Sequence, residues 1–311
     1  MDHIPDINDQ ATLDGILNRA VKFETLQNRG SHDEELIYLP NKLSPFSGWS
    51  KETHSNGQVC DLVHYLDGKR DGLSAEWYEN GQSCRNSTYR ANLLHGAFEE
   101  WYTSGNLSLK CTYSDGSRDG LYETWFENGN RQERYTFSNG QKEGLCEDWH
   151  ENGQPALKHT LINGQMEGLS QSWYEDGQKW KSINYNMGQY HGLYESWHPN
   201  GKRRSRYNCQ NDQIDGTFED WHPNGNRWKK ASYKNGQYHG LYEEWNLEGK
   251  RRTRVNYSNG LKEGLCEGWH QSGNQSWKCT FKSGKEHGLW ERWDDKGNYT
   301  AEQWQDGVPV E

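Results

Sequence analysis

GLYESWHPNGKRRSRYN, residues 192–208, decides the fold: an alternating run reaches Trp197, Asn200-Gly201 follows, and a second run leads back. Alternation is the mark of a strand with two different faces, and Asn-Gly between two such runs is the strongest short hairpin signal. The stretch is therefore a β-hairpin. Its tryptophan is one of ten spaced 24 residues apart, at Trp77, Trp101, Trp125, Trp149, Trp173, Trp197, Trp221, Trp245, Trp269 and Trp293. A glycine stands five residues before each, from Gly72 to Gly288, and another four residues after each, from Gly81 to Gly297. Upstream, Gly48, Gly57, Tyr65 and Gly68 keep the phase, with Thr53 in the tryptophan position. A fixed period without insertions means one structural unit stacked on the next. The chain divides into a leader, 1–47, and about eleven 24-residue hairpin repeats over 48–311.

The turn sets a testable register. Asn56, Asn80, Asn128, Asn152, Asp176, Asn200 and Asn224 each precede a glycine, and a two-residue type I′ turn is expected there. Counting outward, the residue two before each tryptophan faces the residue nine after it. The pairs are Glu99 with Lys110, Glu123 with Arg134, Glu147 with Lys158, Glu195 with Arg206, Glu219 with Lys230, Glu243 with Arg254 and Glu267 with Lys278. Two further units lose both charges together, Ala75 with Asn86 and Gln171 with Ser182, and only Glu291 with Glu302 breaks the rule. Such matching supports antiparallel hairpins over a parallel β-helix. The same count puts Trp173 opposite Trp180, Trp221 opposite Trp228, Trp197 opposite Arg204 and Trp245 opposite Arg252. On the other face the glycine before each tryptophan meets a ring or apolar residue, such as Tyr89, Tyr113, Phe137, Leu161 or Tyr185, which covers its bare backbone.

The expected architecture is all-β: an elongated, single-layer antiparallel hairpin array with a short helical leader. About 22 strands at roughly 4.8 Å each would give a twisted ribbon on the order of 100 Å long. Its last edge falls near Asp306, Pro309 and Glu311, residues that discourage edge-to-edge growth. Longer periods overlie the short one. Residues 187–208 recur at 235–256 and residues 138–154 at 258–274, shifts that are multiples of the repeat and point to duplication of whole units.

Composition excludes other classes. With 31% apolar residues, 34 glycines and 16 tryptophans in 311 residues, the chain cannot bury the core of a two-domain enzyme, and aromatics must carry the burial. No apolar stretch is long enough to span a bilayer, and MDHIPDINDQ lacks the order of a signal peptide, so a cytoplasmic protein is expected. Seven cysteines, Cys60, Cys84, Cys111, Cys146, Cys209, Cys266 and Cys279, lack paired CxxC spacing and read as small apolar fillers. His150, His198, His222 and His270 share the place after the tryptophan, and His95, His191, His239 and His287 the place before a glycine. Equivalent positions lie two strands apart, roughly 9–10 Å, too far to share a zinc ion. Adjacent carboxylates such as Glu99-Glu100 and Glu243-Glu244 point to opposite faces and form no acid/base couple. With no nucleophile–base motif and no phosphate loop, no enzyme and no cofactor are expected.

In the leader, Leu13, Ile16, Leu17, Ala20 and Phe23 fall near helical spacing over Ala11–Glu24, with Thr12-Leu13-Asp14 as the start. This helix is expected to cap the open edge of the first hairpin.

Four successive returning strands are basic: Lys179 and Lys181; Lys202, Arg203, Arg204 and Arg206; Arg227, Lys229 and Lys230; Lys250, Arg251, Arg252 and Arg254. On a protein of net charge −10 they make a positive stripe, part of it answered by the paired glutamates. Trp and Arg are the residues most enriched at interface hot spots. Trp180, Arg203, Arg204, Arg227, Trp228, Lys229, Arg251 and Arg252 are therefore the expected partner-binding residues, for an acidic protein or, alternatively, anionic lipid headgroups. The overall acidity argues against nucleic acid.

The element G-L-Y-E-x-W-[YH]-x-N-G followed by Y-x-x-G, carried by residues 48–304, resembles the variant MORN repeat of bacterial proteins of the YwqK antitoxin type. Arg29-Gly30 and Pro45-Phe46-Ser47-Gly48 also resemble the entry into the first repeat of such proteins. The resemblance implies a β-hairpin interaction platform without catalytic residues, antitoxin-like in some bacterial members and membrane-docking in others. The tryptophan and arginine decoration of the middle units departs from the family pattern.

Overall fold

The structure is a computed structural model and describes residues 5–30 and 35–310. Residues 1–4 of the start and Glu311 of the last edge, both used above, lie outside the described residues. Two compact units divide the chain, Met1–Gln154 and Pro155–Glu311. In each, successive strands run antiparallel: from Gly48–Thr53 to Gln141–Trp149 in the first, and from Pro155–Ile162 to Val308–Val310 in the second. Neither is a closed barrel; each is a meander of hairpins, the arrangement the 24-residue period calls for.

The body of the expected register holds. Glu99 faces Lys110, Glu123 faces Arg134, Glu195 faces Arg206, Glu219 faces Lys230, Glu243 faces Arg254 and Glu267 faces Lys278. Gly72, Gly96, Gly120 and Gly168 face Tyr89, Tyr113, Phe137 and Tyr185 as expected. The exception also finds its reason. The last hairpin has no bulge, so Glu291 faces Ala301 and Glu302 falls opposite Trp290, and the two carboxylates never meet.

The turns are the reverse of the expectation. Gly201 N–H donates to the His198 carbonyl (2.9 Å) and His198 N–H to that of Lys202 (2.8 Å), so Pro199-Asn200-Gly201 is a three-residue loop. Only Gly201 is left-handed (φ 76°), and Asn200 is not among the residues with positive φ. This is a type I turn closed by a glycine bulge, not type I′. The two-residue turns with positive φ at both positions join one repeat to the next, as at Asn235 (φ 50°) and Gly236 (φ 75°), flanked by the pair Lys234 and Gln237.

One residue is absorbed by a second bulge, where Ser196 faces Ser205 but Trp197 faces Arg203. The tryptophans therefore face the residue six, not seven, after them: Trp173 faces Lys179, Trp221 faces Arg227 and Trp245 faces Arg251. Trp180, Arg204, Trp228 and Arg252 are the extra residues of these bulges, not the cross-strand partners. The three-residue loop and the bulge shift the count in opposite directions, which is why the glutamate pairs were nevertheless placed correctly.

Each sheet thus has a tryptophan side, carrying also the paired glutamates, and a tyrosine side. At the turn into each repeat the backbone opens into a bulge. In one, Gly192 (φ 96°) lets Asn184 approach, and Asn184 donates its side-chain amide to the Leu193 carbonyl (3.0 Å). A Cβ at Gly192 would sit 3.4 Å from that of Asn184 and demand a strained φ, so glycine is required there.

The leader helix spans Gln10–Leu17, shorter than Ala11–Glu24, and is capped by Asp9, whose carboxylate accepts from Thr12 N–H (2.9 Å). It ends early because the following chain is used for pairing. Val21–Lys22 runs parallel to Ser50 and Lys51, and Lys51 Nζ donates to the freed Leu17 carbonyl (2.8 Å). Val21, Leu26, Ile37 and Leu39 pack with Phe46 on buried Val63 and Tyr65. The helix buries Ile16 and borders a cavity with Trp49, His64 and Leu73.

Candidate interaction surface

On the tryptophan side one contact pattern repeats. Arg203 pairs with Glu195 of its own hairpin (3.1 Å), and its guanidinium carbon lies 5.6 Å from the ring centre of Trp221 in the next. Arg227 repeats this with Glu219 (2.9 Å) and Trp245 (5.6 Å), and Arg251 with Glu243 (2.9 Å) and Trp269 (5.5 Å). In the first unit Arg131 does the same with Glu123 (3.1 Å) and Trp149 (5.3 Å). Each arginine joins two repeats through charge and a cation–π contact. The structure places Arg203, Arg227 and Arg251 in this internal ladder.

Of the other five expected residues, Lys229 lies on the tyrosine side, and Trp180, Arg204, Trp228 and Arg252 stand at the bulges beside the loops. The charge of Arg204 reaches Asp220 and Tyr174, and Arg252 borders a cavity with Thr253 and Trp277. The Trp228 ring lies 5.9 Å from His222 and the Trp180 ring 6.0 Å from Tyr174; Trp228 stays 48% exposed and Trp180 38%. Lys229 faces Glu244 across the strands and donates to the Tyr238 hydroxyl (2.9 Å), with the rings of Phe218, Tyr238 and Tyr242 around its ammonium. The single stripe read from the sequence is divided between two faces, because each bulge turns the second of two adjacent basic residues away from the first.

Between these residues runs a ladder of rings that sequence reasoning missed. Tyr185, Tyr190, Tyr194, Tyr207, Phe218, Tyr233, Tyr238, Tyr242 and Tyr257 each meet the next within 6.5 Å; Tyr194 and Tyr207 stack at 4.4 Å. The signal was present: these rings stand three and seven residues before, and ten and twelve after, the tryptophans. Burial, and then neighbouring hydroxyls, push Tyr185 and Tyr233 well above the usual tyrosine range. Burial likewise raises the Asp220 carboxyl.

The histidines that follow the tryptophans are joints between repeats. His198, His222 and His270 set Nε2 at 2.8, 3.2 and 2.7 Å from the carbonyls of Trp221, Trp245 and Trp293. Tyr78, Tyr102 and Tyr174 do the same with their hydroxyls to Trp101, Trp125 and Trp197. Tyrosine and histidine can stand in for one another at this position because both carry a donor at the required reach. Among the described residues no three of His, Cys, Asp and Glu gather as a metal-holding group. Cys111, Cys146, Cys209, Cys266 and Cys279 are buried and all seven thiols are free; burial pushes Cys111 up to about 11.

Residues 94–115, 118–139, 166–187, 190–211 and 214–235 match the family model for the MORN repeat variant. Each matched segment spans one hairpin, from the strand before a tryptophan to the turn into the following repeat, so these five repeats are of the MORN variant type. No curated protein matches the chain. No helix of the described residues is long and apolar enough to cross a membrane.

Proposed function

We propose that the chain is a noncatalytic repeat scaffold that binds another protein with an acidic surface, through the bulges beside the loops of Pro155–Glu311. The observation that carries this reading is the placing of Arg204 and Arg252. Arg203, Arg227 and Arg251 are held by carboxylates, whereas among the described residues Arg204 and Arg252 are in no ion pair and flank the half-exposed Trp228. Exposed tryptophan beside arginine outside any ion pair is the composition of an interface hot spot. Seven free thiols suit the reducing cytoplasm, where the scaffold would act. An antitoxin-like role is the case in which the bound partner is a toxic protein that the array covers.

The test is a pull-down from the native host's lysate with wild type, Arg204→Glu/Arg252→Glu and Arg203→Ala/Arg251→Ala, at low and moderate salt. A stoichiometric protein kept by wild type and by the alanine pair but lost by the glutamate pair is the expected result, with the far-UV β signal unchanged. Equal recovery by all three would move the site elsewhere. Salt-sensitive binding to phosphatidylserine vesicles with no protein recovered would replace this reading by a peripheral membrane adaptor.

A further inference from the structure

The ring ladder of Pro155–Glu311 stops after Tyr257. The positions three before and ten after the tryptophan, filled by Tyr194 and Tyr207 earlier in the unit, here hold Cys266 and Cys279, which face one another and are buried. The residue just before Trp269 is Gly268, where other repeats have Ser196, Asp220 or Glu244. Trp277 lies flat over this glycine: a Cβ at 268 would stand 2.1 Å from its Nε1. Cys279, a small side chain at the place of Tyr207, borders a cavity of about 440 Å³ on the tyrosine side.

The lining has a definite chemistry. Trp277, Phe281 and Trp290 form its walls and Cys279 borders it, with Lys262 and Arg292 beside them. Phe281 and Trp290 meet edge to face at 6.1 Å. The Trp290 indole N–H is buried without an acceptor, an unmet donor in the wall of an apolar site. Lys262 Nζ lies 4.7 Å from the Phe281 ring centre, and the Arg292 guanidinium carbon 5.0 Å from that of Trp290. Asp294 also borders the cavity, but its carboxylate is engaged by Lys296 N–H (2.9 Å), Asn298 N–H (2.8 Å) and the Asn298 amide (2.7 Å). Glu286 faces Phe281 across the strands and is not part of the lining.

From this arrangement we infer that the cavity binds a small planar aromatic anion. Its ring takes the place between Trp277 and Trp290 that corresponds to the ring of Tyr207 earlier in the unit, and its acidic group meets Lys262 and Arg292. The indole walls supply stacking, the volume lies in the usual range of small-molecule sites, and the two cations set the sign of charge. None of Arg204, Trp228 and Arg252 lines this cavity, although Arg252 borders the neighbouring one, which shares Trp277 with it.

Calorimetric titration with 1-naphthoate tests the inference, against 1-naphthalenemethanol, which has the same ring without charge, and cyclohexanecarboxylate, which has the charge without the ring. The native protein is expected to bind naphthoate about tenfold more tightly than either control. Lys262→Gln/Arg292→Gln should abolish the preference over the alcohol while leaving the alcohol's affinity unchanged. Cys279→Tyr, which restores the residue at the place of Tyr207, should weaken naphthoate and alcohol by about tenfold or more. Absence of naphthoate binding at millimolar concentration, equal affinity for the neutral alcohol, or undiminished binding to a folded Cys279→Tyr protein would overturn the inference. If Cys279→Tyr fails to fold, the charge-removing pair decides, because both its side chains reach the cavity mouth and support no ion pair among the described residues.

Discussion

At the scale of single residues, Asp61 shows how little slack a one-layer sheet has. It faces Glu76 across the strands, and its Oδ1 is buried without a partner while Arg85 engages Glu76 (3.0 Å). Burial first, and then the nearby Glu76 charge, raise its carboxyl to about 6. A carboxyl raised in the folded state favours the protonated form on folding. Its contribution to stability is present in full below about 4 and is lost as pH rises through about 6. Asp61→Asn should therefore stabilise the protein at pH 7.5 by about 1–2 kcal/mol after allowance for solvent screening, and by little at pH 4. Urea unfolding of both proteins across that range measures the difference, and a gap that does not change with pH would clear Asp61 of the effect. Nothing in the local sequence around Asp61 announces this, since the nearby carboxylates, Glu76 and Glu52, come from the two neighbouring strands.

Between elements, the joints are made by polar groups reaching one repeat forward, and they explain what the sequence did and did not disclose. The hairpin period, the glutamate register and the ring or small apolar residue facing each glycine were legible because each depends on strict alternation along a strand. The turn types and the facing residue of each tryptophan were not, because Asn-Gly serves equally as positions of a three-residue loop, and a bulge leaves no mark in composition. That single bulge is what separated Arg203 from Arg204 and divided the expected binding stripe between two faces. The spacing of the repeated histidines argues against a shared metal ion without saying what they do; the structure makes His198, His222 and His270 donors between repeats. His198→Phe should remove the donor to the Trp221 carbonyl, now 2.8 Å away, and cost about 1 kcal/mol in urea unfolding. His198→Tyr should be nearly neutral, since Tyr174 makes the same contact to Trp197 at 2.9 Å. Equal losses in the two variants would mean that packing of the ring, and not the hydrogen bond, holds the joint.

For the molecule as a whole, the distribution of burial implies where unfolding starts. In a repeat array each hairpin is stabilised by its own contacts and by those to its two neighbours, so an end without a neighbour is the weak point. The leader supplies that missing neighbour. Val21–Lys22 continues the pairing beside Ser50 and Lys51, Phe46 and its apolar companions cover Val63 and Tyr65, and the helix buries Ile16 near Trp49 and His64. A chain lacking residues 1–47 would open all three contacts at once while leaving the hairpins beyond Leu93–Trp101 with their own partners. Amide hydrogen exchange should then lose protection by about tenfold or more over residues 48–77 and stay near wild type over Ser117–Trp125 and Arg131–Ser138. If protection fell evenly along the whole chain, unfolding would be a single cooperative event and the nearest-neighbour account would fail. If it stayed unchanged at residues 48–77, the first hairpin would be stable without a cap, and the leader's buried residues would owe their placing to some other role.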